Sequence, residues 1–418
     1  MVTVIDKRPL EGTAYGRGPQ SSNDTLVRVG GGTPCGEYMR RFWHPVATSA
    51  EAGSLPKKVR LLGEDLILFR DGEGRPGLVY PRCMHRGTTL YYGHVEPRGI
   101  RCCYHGWLFD VEGNCLEQPC EPEGGLARAN HRQPWYPVQE RYGLVFAYTG
   151  PPDKMPLLPR FDVLEDLGSD EEVVGSGGPG LGYGDSRMNA KVDYVPYNWL
   201  QVFENIMDPF HVYVLHSTFS GAQFAEGFKV MPRVKFEDHP LGTVYHAYRD
   251  LPDGRSMVRT SVAMFPHVAA VPSVELAAGR SRNVIWHLPV DDIHFIHFIA
   301  TARRKTATPG GAAGRGFGIP LTPDGRAWLD LSEAEHQLYP GDFEAQWGQG
   351  EITFHSEEHL VRSDIGIGML RRKLAEQIKL VQDGGDPIGV AYEPGQELVR
   401  IDSGNFFDEV KAPAPQEA

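Results

Sequence analysis

From about Pro45 to Tyr148 the apolar residues fall in short runs broken by glycine. Lys58–Leu62, Leu66–Arg70, Gly77–Tyr80 and Leu144–Tyr148 read as strands, with turns at Asp71-Gly72 and Glu112-Gly113. This spacing predicts a compact antiparallel domain of roughly 100 residues. Residues 1–32 are polar and glycine-rich and read as an irregular lead-in. Thr33-Pro34 then supplies an N-cap and a first-turn proline for a short helix through about Trp43. Gly150-Pro151-Pro152 and the proline-spotted stretch to Arg160 read as a linker. Beyond it the pattern is mixed. Asn198–Phe219 is apolar, largely free of glycine, and predicts a helix despite Pro209. Ser256–Phe265 and Asn283–Arg303 alternate as strands do, with Val284, Trp286 and Leu288 on one face. Thr306–Gly318, rich in glycine and alanine, reads as a loop. Glu357–Gln382 has helical periodicity through Leu360, Ile367, Leu370, Leu374, Ile378 and Val381. The expected fold class is α+β, divided into a lead-in with a short helix (1–44), a small antiparallel β domain (45–151) and a larger domain (152–418).

Composition narrows the class. The chain has 418 residues, enough for two or three domains, and 41% hydrophobic with 23% charged residues excludes wholesale disorder. Its 49 glycines and 33 prolines favour a turn-rich β or α+β protein over a helical bundle. Forty-two basic against 54 acidic side chains give a net charge of −12, and no basic block occurs. That argues against nucleic acid or an anionic membrane as the main partner. The N-terminal MVTVIDKRPL lacks the apolar core of a secretory signal, and no apolar run approaches the ~20 residues of a membrane span. A soluble cytoplasmic protein is expected, with its six cysteines reduced or metal-bound.

Two clusters of metal-competent residues carry the chemistry. The first is Cys83-Met-His85, then sixteen residues, then Cys102-Cys103-Tyr104-His105. Each half offers a thiolate and an imidazole, as two loop tips converging on a metal would. Two thiolates and two imidazoles suit either tetrahedral zinc or a Rieske [2Fe–2S] cluster. Order favours the cluster, because each half mixes the two donor types where a zinc finger usually groups them. Cys102, three residues before His105, is the expected ligand rather than Cys103. Cys103, Cys35, Cys115 and Cys120 read as small buried side chains without a ligand role. His94 and His131 read as turn or surface residues.

The second cluster is Glu204-Asn205-Ile206-Met207-Asp208-Pro209-Phe210-His211, followed by His216. On an ideal helix Asp208 lies between His211 and His216, which are themselves ~140° apart. One ion cannot bridge them on a straight helix, so a local distortion or a helix end near His216 is required. Nine further histidines from His239 to His359 read as structural; His294 and His297 alone stand in a strand-like run that could face a pocket.

Together, Cys83-Met-His85-Arg86-Gly87, Cys102-Cys103-Tyr104-His105-Gly106-Trp107 and the segment from Asn198-Trp199 through His216 resemble the Rieske non-haem iron oxygenases, oxygenase (alpha) subunit. Pro340-Gly341-Asp342-Phe343-Glu344-Ala345-Gln346 is similar to the phthalate-dioxygenase-like members. The resemblance runs from about Thr33 to Pro394. It implies a Rieske domain followed by a catalytic domain whose antiparallel sheet is flanked by helices, of the helix-grip type. It implies a [2Fe–2S] cluster on Cys83, His85, Cys102 and His105, and a mononuclear Fe(II) on His211, His216 and Asp342, a 2-His-1-carboxylate set with open positions. Glu344 is the alternative carboxylate; Glu351 and Asp364 read as solvated charges. Asp208 would link His211 to His105 as an electron-transfer bridge, between neighbouring chains of a homotrimer or dimer of trimers.

The activity so implied is that of a terminal oxygenase using O2 and electrons from an NAD(P)H-dependent flavin/iron–sulfur reductase, possibly through a ferredoxin. The expected substrate is a small aromatic molecule, an aryl carboxylate or diaryl ether, and no arginine stands out as a carboxylate clamp. A Rieske O- or N-demethylase and a non-catalytic Rieske electron carrier are the alternatives. Some 270 residues beyond the first domain, with a second metal cluster, speak against the carrier.

Overall fold

The computed structural model describes residues 18–178, 194–219, 224–305 and 332–409; Thr306–Gly318 and the first seventeen residues lie outside them. The lead-in is not wholly irregular: Asp24–Val27 forms one helical turn that buries Leu26 and Val27. Thr33 caps the helix Pro34–Met39, its hydroxyl accepting from the Gly36 N–H. That helix ends short of Trp43, where the first strand, Trp43–Thr48, begins.

The N-terminal half contains three antiparallel sheets. Trp43–Thr48 pairs with Leu144–Tyr148, which pairs with Val138–Arg141. Lys57–Leu61, Glu64–Arg70, Pro76–Val79 and Trp135–Tyr136 form a second sheet, and four short strands between His94 and Glu117 form a third. Ile67, Phe69, Val79, Leu90, Ile100 and Phe109 make a satellite core that also takes in Cys83, Cys102 and Trp107. The two candidate cluster loops therefore stand on one packed base. The expected linker is pinned: Leu157 donates to the Ala391 carbonyl, and Arg160–Phe161 pairs in parallel with Leu398–Val399.

The C-terminal half is built on a nine-stranded antiparallel sheet. Its main path runs Glu171–Gly178, His294–Arg304, Asn283–Asp291, Val268–Ala270, Arg255–Met264, Gly242–Asp250 and Arg233–His239. The stretch Asn283–Arg303 is thus two strands of a hairpin, turning at 292–293, not one. Residues 198–219 are likewise not a single helix. Trp199–Asn205 is helical, the chain breaks around Pro209, and His211–Val214 restarts it. The long C-terminal helix is shorter than its periodicity predicts, Ile365–Gln382, with single 3₁₀ turns at His355–Glu357 and Arg362–Asp364 before it. Among the described residues no helix is long and apolar enough to cross a membrane.

One ion-pair group fixes the helix that leads into the second cluster. Glu204 is buried, and Arg371 of the long helix reaches it with Nε at 2.5 Å and Nη2 at 2.6 Å while also pairing with Glu358. Burial pushes the Glu204 carboxyl upward against the pull of Arg371. Replacing Arg371 by alanine would strand that carboxylate, so a loss of about 3–5 kcal/mol is expected in chemical denaturation. Adding Glu204→Gln to that variant should recover part of the loss.

Candidate functional site

The two N-terminal loops are built alike. Cys83 donates its N–H to Thr88 and accepts from Gly87; Cys102 donates to Trp107 and accepts from Gly106. Gly87 and Gly106 close the turns at φ of +77° and +74°, a conformation other residues avoid. Both sulfurs are buried and hydrogen-bonded to each other. The N–H groups of His85 and Arg86 point at Cys83, and those of Tyr104 and His105 at Cys102. The bond from Cys83, then these N–H groups, draw the Cys102 thiol down to about 6, while that shared bond, with burial, pushes Cys83 up.

The His85 and His105 rings lie 4.6 Å apart, and His85 stacks on Trp107. Buried Gln133 holds the first loop by accepting from the Met84 N–H and donating to Tyr80 and Arg82 carbonyls. Two sulfurs in an amide cradle, with two imidazoles beside them, suit the donor set of a [2Fe–2S] Rieske cluster. Cys103 is exposed, against expectation, because its side chain leaves the loop where Cys102 enters the core. Cys120 is exposed too, its Sγ 3.7 Å from the His105 carbonyl.

The second cluster depends on how the chain restarts after Pro209. Asp208 Oδ1 accepts from the N–H groups of Phe210 and His211, covering the donors that open the next helix. Leu215–Phe219 then widens into a π turn, with the Ser217 and Thr218 hydroxyls donating to the carbonyls of Val212 and Tyr213, five residues back. A turn closed five residues back brings residues five apart towards one face. It supplies the distortion that His211 and His216 require, and their rings stand 5.3 Å apart.

Asp342 opens the helix Asp342–Trp347 and comes in from the other side. Its Oδ1 lies 3.2 Å from His216 Nε2, 3.6 Å from His211 Nε2 and 3.2 Å from Asn205 Nδ2. One potential ligand atom from each of His211, His216 and Asp342 falls within 4.8 Å of the others. Burial works against the Asp342 charge, but the two histidines and Asn205 outweigh it and hold the carboxyl well below the usual range. The donors converge as the 2-His-1-carboxylate set of a non-haem iron does. Glu344 stays outside, capping the Gly341 N–H at 2.8 Å and meeting His336 at 2.7 Å. Asp364 accepts from the Val361 N–H, and Glu351 is exposed.

Asp208 touches this group from behind. His211 Nδ1 donates to the Asp208 carbonyl at 2.5 Å and lies 3.6 Å from its carboxylate Oδ2. Burial again opposes the charge, and His211 with the two N–H groups overcomes it.

A cavity of about 820 Å³, mouth included, opens between these helices and the large sheet. Val202, Ile206 and Val212, with Phe224 beside them, make one wall, and Ile285 and Ile299 of the sheet, with Val271 just past a strand end, part of the other. His211, Asp208 and Asp342 border it. His297 lines it, whereas His294 turns away to Asp291 at 2.9 Å. Sequence reasoning missed Arg259, His287 and Tyr245, which also line it. The one signal was a charged residue, Arg259, in the middle of a strand whose other half, Val262–Met264, is apolar.

Residues 42–137 match the family model of the Rieske [2Fe-2S] domain. The chain is 56% identical over 406 residues to the phenoxybenzoate dioxygenase alpha subunit of Ectopseudomonas oleovorans, covering 97% of this chain and 96% of that one. It is 30% identical to the phthalate 4,5-dioxygenase oxygenase subunit of Pseudomonas putida, over 88% of each. Among solved structures, dicamba monooxygenase bound to dicamba aligns with a TM-score of 0.58 at 17% identity, covering 83% of this chain and 99% of that one. That last likeness speaks for the fold.

Proposed function

The chain belongs to the Rieske non-haem iron oxygenases, and from that premise we propose which residues carry the reaction and on what class of molecule. It is an oxygenase component that works with an electron-donating partner, uses a [2Fe–2S] cluster and a mononuclear iron, and acts on aromatic substrates. We assign the Rieske domain to 45–151 and the catalytic domain to 152–418. Cys83, His85, Cys102 and His105 would hold the cluster; His211, His216 and Asp342 would hold the mononuclear iron. When bound, the cluster supplies single electrons and the iron supplies open positions for dioxygen.

The protein's own share is placement and exclusion. Asp208 holds the Nδ1 proton of His211, so that Nε2 is left as the donor facing Asp342 and the cavity. Asn205 fixes the Asp342 carboxylate. The apolar walls between sheet and helices hold an aromatic ring and keep water from it. The substrate we propose is an aryl carboxylate, including diaryl ether acids of the phenoxybenzoate kind. The observation that carries this reading is the convergence of His211, His216 and Asp342, two of which, His211 and Asp342, line that cavity.

Electrons would pass between chains, from His105 of one to Asp208 of the next, in a homotrimer or dimer of trimers in the cytoplasm. Met84 and Tyr104, exposed at the cluster loops, offer the apolar contact such a ring needs. The reductase would be an NAD(P)H-dependent flavin/iron–sulfur protein. The test is oxygen uptake by the reconstituted system on a panel of aromatic acids, ethers and amines. Uptake stimulated by an aromatic acid, with three irons per chain, is expected. Two irons per chain and no stimulation would mean an electron carrier instead.

A further inference from the structure

The sheet side of the cavity carries a charge that no carboxylate among the described residues pairs with. Arg259, on the strand Arg255–Met264, is only 4% exposed and lines the cavity. Its Nη1 donates to the Ser273 carbonyl at 3.0 Å and to Asn405 Oδ1 at 3.1 Å, and Nη2 to the Pro272 carbonyl at 2.9 Å. All three acceptors are neutral. The Nε–H is buried with no acceptor among the described residues, and the one side chain that opposes the cost of burial is the neutral hydroxyl of Tyr245.

Arg249 is in the same condition. It is 2% exposed, donates from Nε to the Val230 carbonyl at 3.0 Å, and leaves Nη1 without a partner among the described residues. Each guanidinium lies 5.2 Å from the centre of the Phe228 ring, so two buried cations share one aromatic residue. Burial lowers both, Arg249 to about 10. Buried cations without a counter-charge are costly to hold. A fold that keeps one of them, Arg259, at a ligand cavity gains from an anionic occupant.

Other polar groups on this wall cannot supply that counterpart. His287 and His297 meet at 3.1 Å between Nδ1 atoms, and burial keeps both neutral, His297 pushed down to about 3. Tyr245 and Ser261 face each other across the ladder beside Arg259 and offer hydroxyls. Among the described cavity-lining residues, Arg259 is the cation built to meet a carboxylate.

We propose that Arg259 is the specificity-determining residue of this cavity, its unpartnered Nε–H turning to the carboxylate of an aromatic acid while the ring lies towards His211 and Asp342. This rests on the oxygenase reading above and adds the group that selects an acid over a neutral aromatic.

The test compares a phenoxybenzoate with the matching phenoxybenzamide in substrate-stimulated oxygen uptake by the holoenzyme with its reductase, for the wild type, Arg259→Met and Arg259→Lys. The wild type is expected to favour the acid at least ~10-fold in kcat/KM, the scale of one charged hydrogen bond. Arg259→Met should erase that preference by raising KM for the acid, and Arg259→Lys should restore part of it. The visible spectrum of the [2Fe–2S] cluster reports that each variant is folded. If Arg259→Met keeps the acid-to-amide ratio, or lowers both compounds alike, Arg259 only ties down Pro272 and Ser273 and the proposal is overturned while the oxygenase reading stands. If the wild type takes neither compound but oxidises other aromatics, the acid class itself is wrong, and the role of Arg259 with it.

Discussion

Asp342→Ala is expected to lower the iron content from three to two per chain and to bring substrate-stimulated oxygen uptake to background. The Rieske absorption and EPR signals should survive, because Cys83 and Cys102 sit in a separate core. Asp342 contributes the only carboxylate oxygen that both His211 and His216 approach, at 3.6 and 3.2 Å, among the described residues. Two imidazoles alone make a poor site for Fe(II), so the loss should exceed the ~10–100-fold typical of groups that only support a ligand. Glu344→Gln is the contrasting variant. Both of its oxygens are engaged, one by the Gly341 N–H and one by His336, so its loss should loosen the start of the helix and leave the iron bound. The reverse outcome, with iron lost from Glu344→Gln and kept by Asp342→Ala, would exchange the two assignments.

Asp208→Asn should keep all three irons yet cut turnover by about 100-fold. The amide oxygen of asparagine can still accept from the Phe210 and His211 N–H groups, and His211 Nδ1 is tied to the backbone carbonyl of residue 208, which the substitution does not touch. What disappears is the negative charge on Oδ2, 3.6 Å from the His211 ring. The loss should therefore appear in the rate at which a reduced cluster delivers its electron in single turnover, not in iron content or substrate KM. Full activity in Asp208→Asn, or loss of the mononuclear iron, would each rule out the bridging role.

The loops at Cys83 and Cys102 are local devices: sulfur, cradle N–H groups and closing glycine lie within five consecutive residues, so chain order alone displays the donors. The strands from Lys57 to Tyr148 were legible for a similar reason, since a two-residue period and glycine turns are short-range signals. Residues 198–219 were not, because apolar periodicity does not reveal where hydroxyls of Ser217 and Thr218 turn back on the backbone and widen the helix.

The sequence by itself determined the fold class, the two clusters of metal-competent side chains, and the need for a distortion if His211 and His216 are to meet. Only the tertiary structure decided which distant acid reaches the histidines. Asp342, Glu344, Glu351 and Asp364 are equivalent as carboxylates; Glu344 and Asp364 spend oxygens on caps, Glu351 stands exposed, and Asp342 alone of the four meets the histidines. Only the tertiary structure exposed Arg259. A guanidinium becomes conspicuous when it is buried beside a cavity with no anion near it, and a missing partner is a property of three-dimensional surroundings that no one-dimensional pattern records.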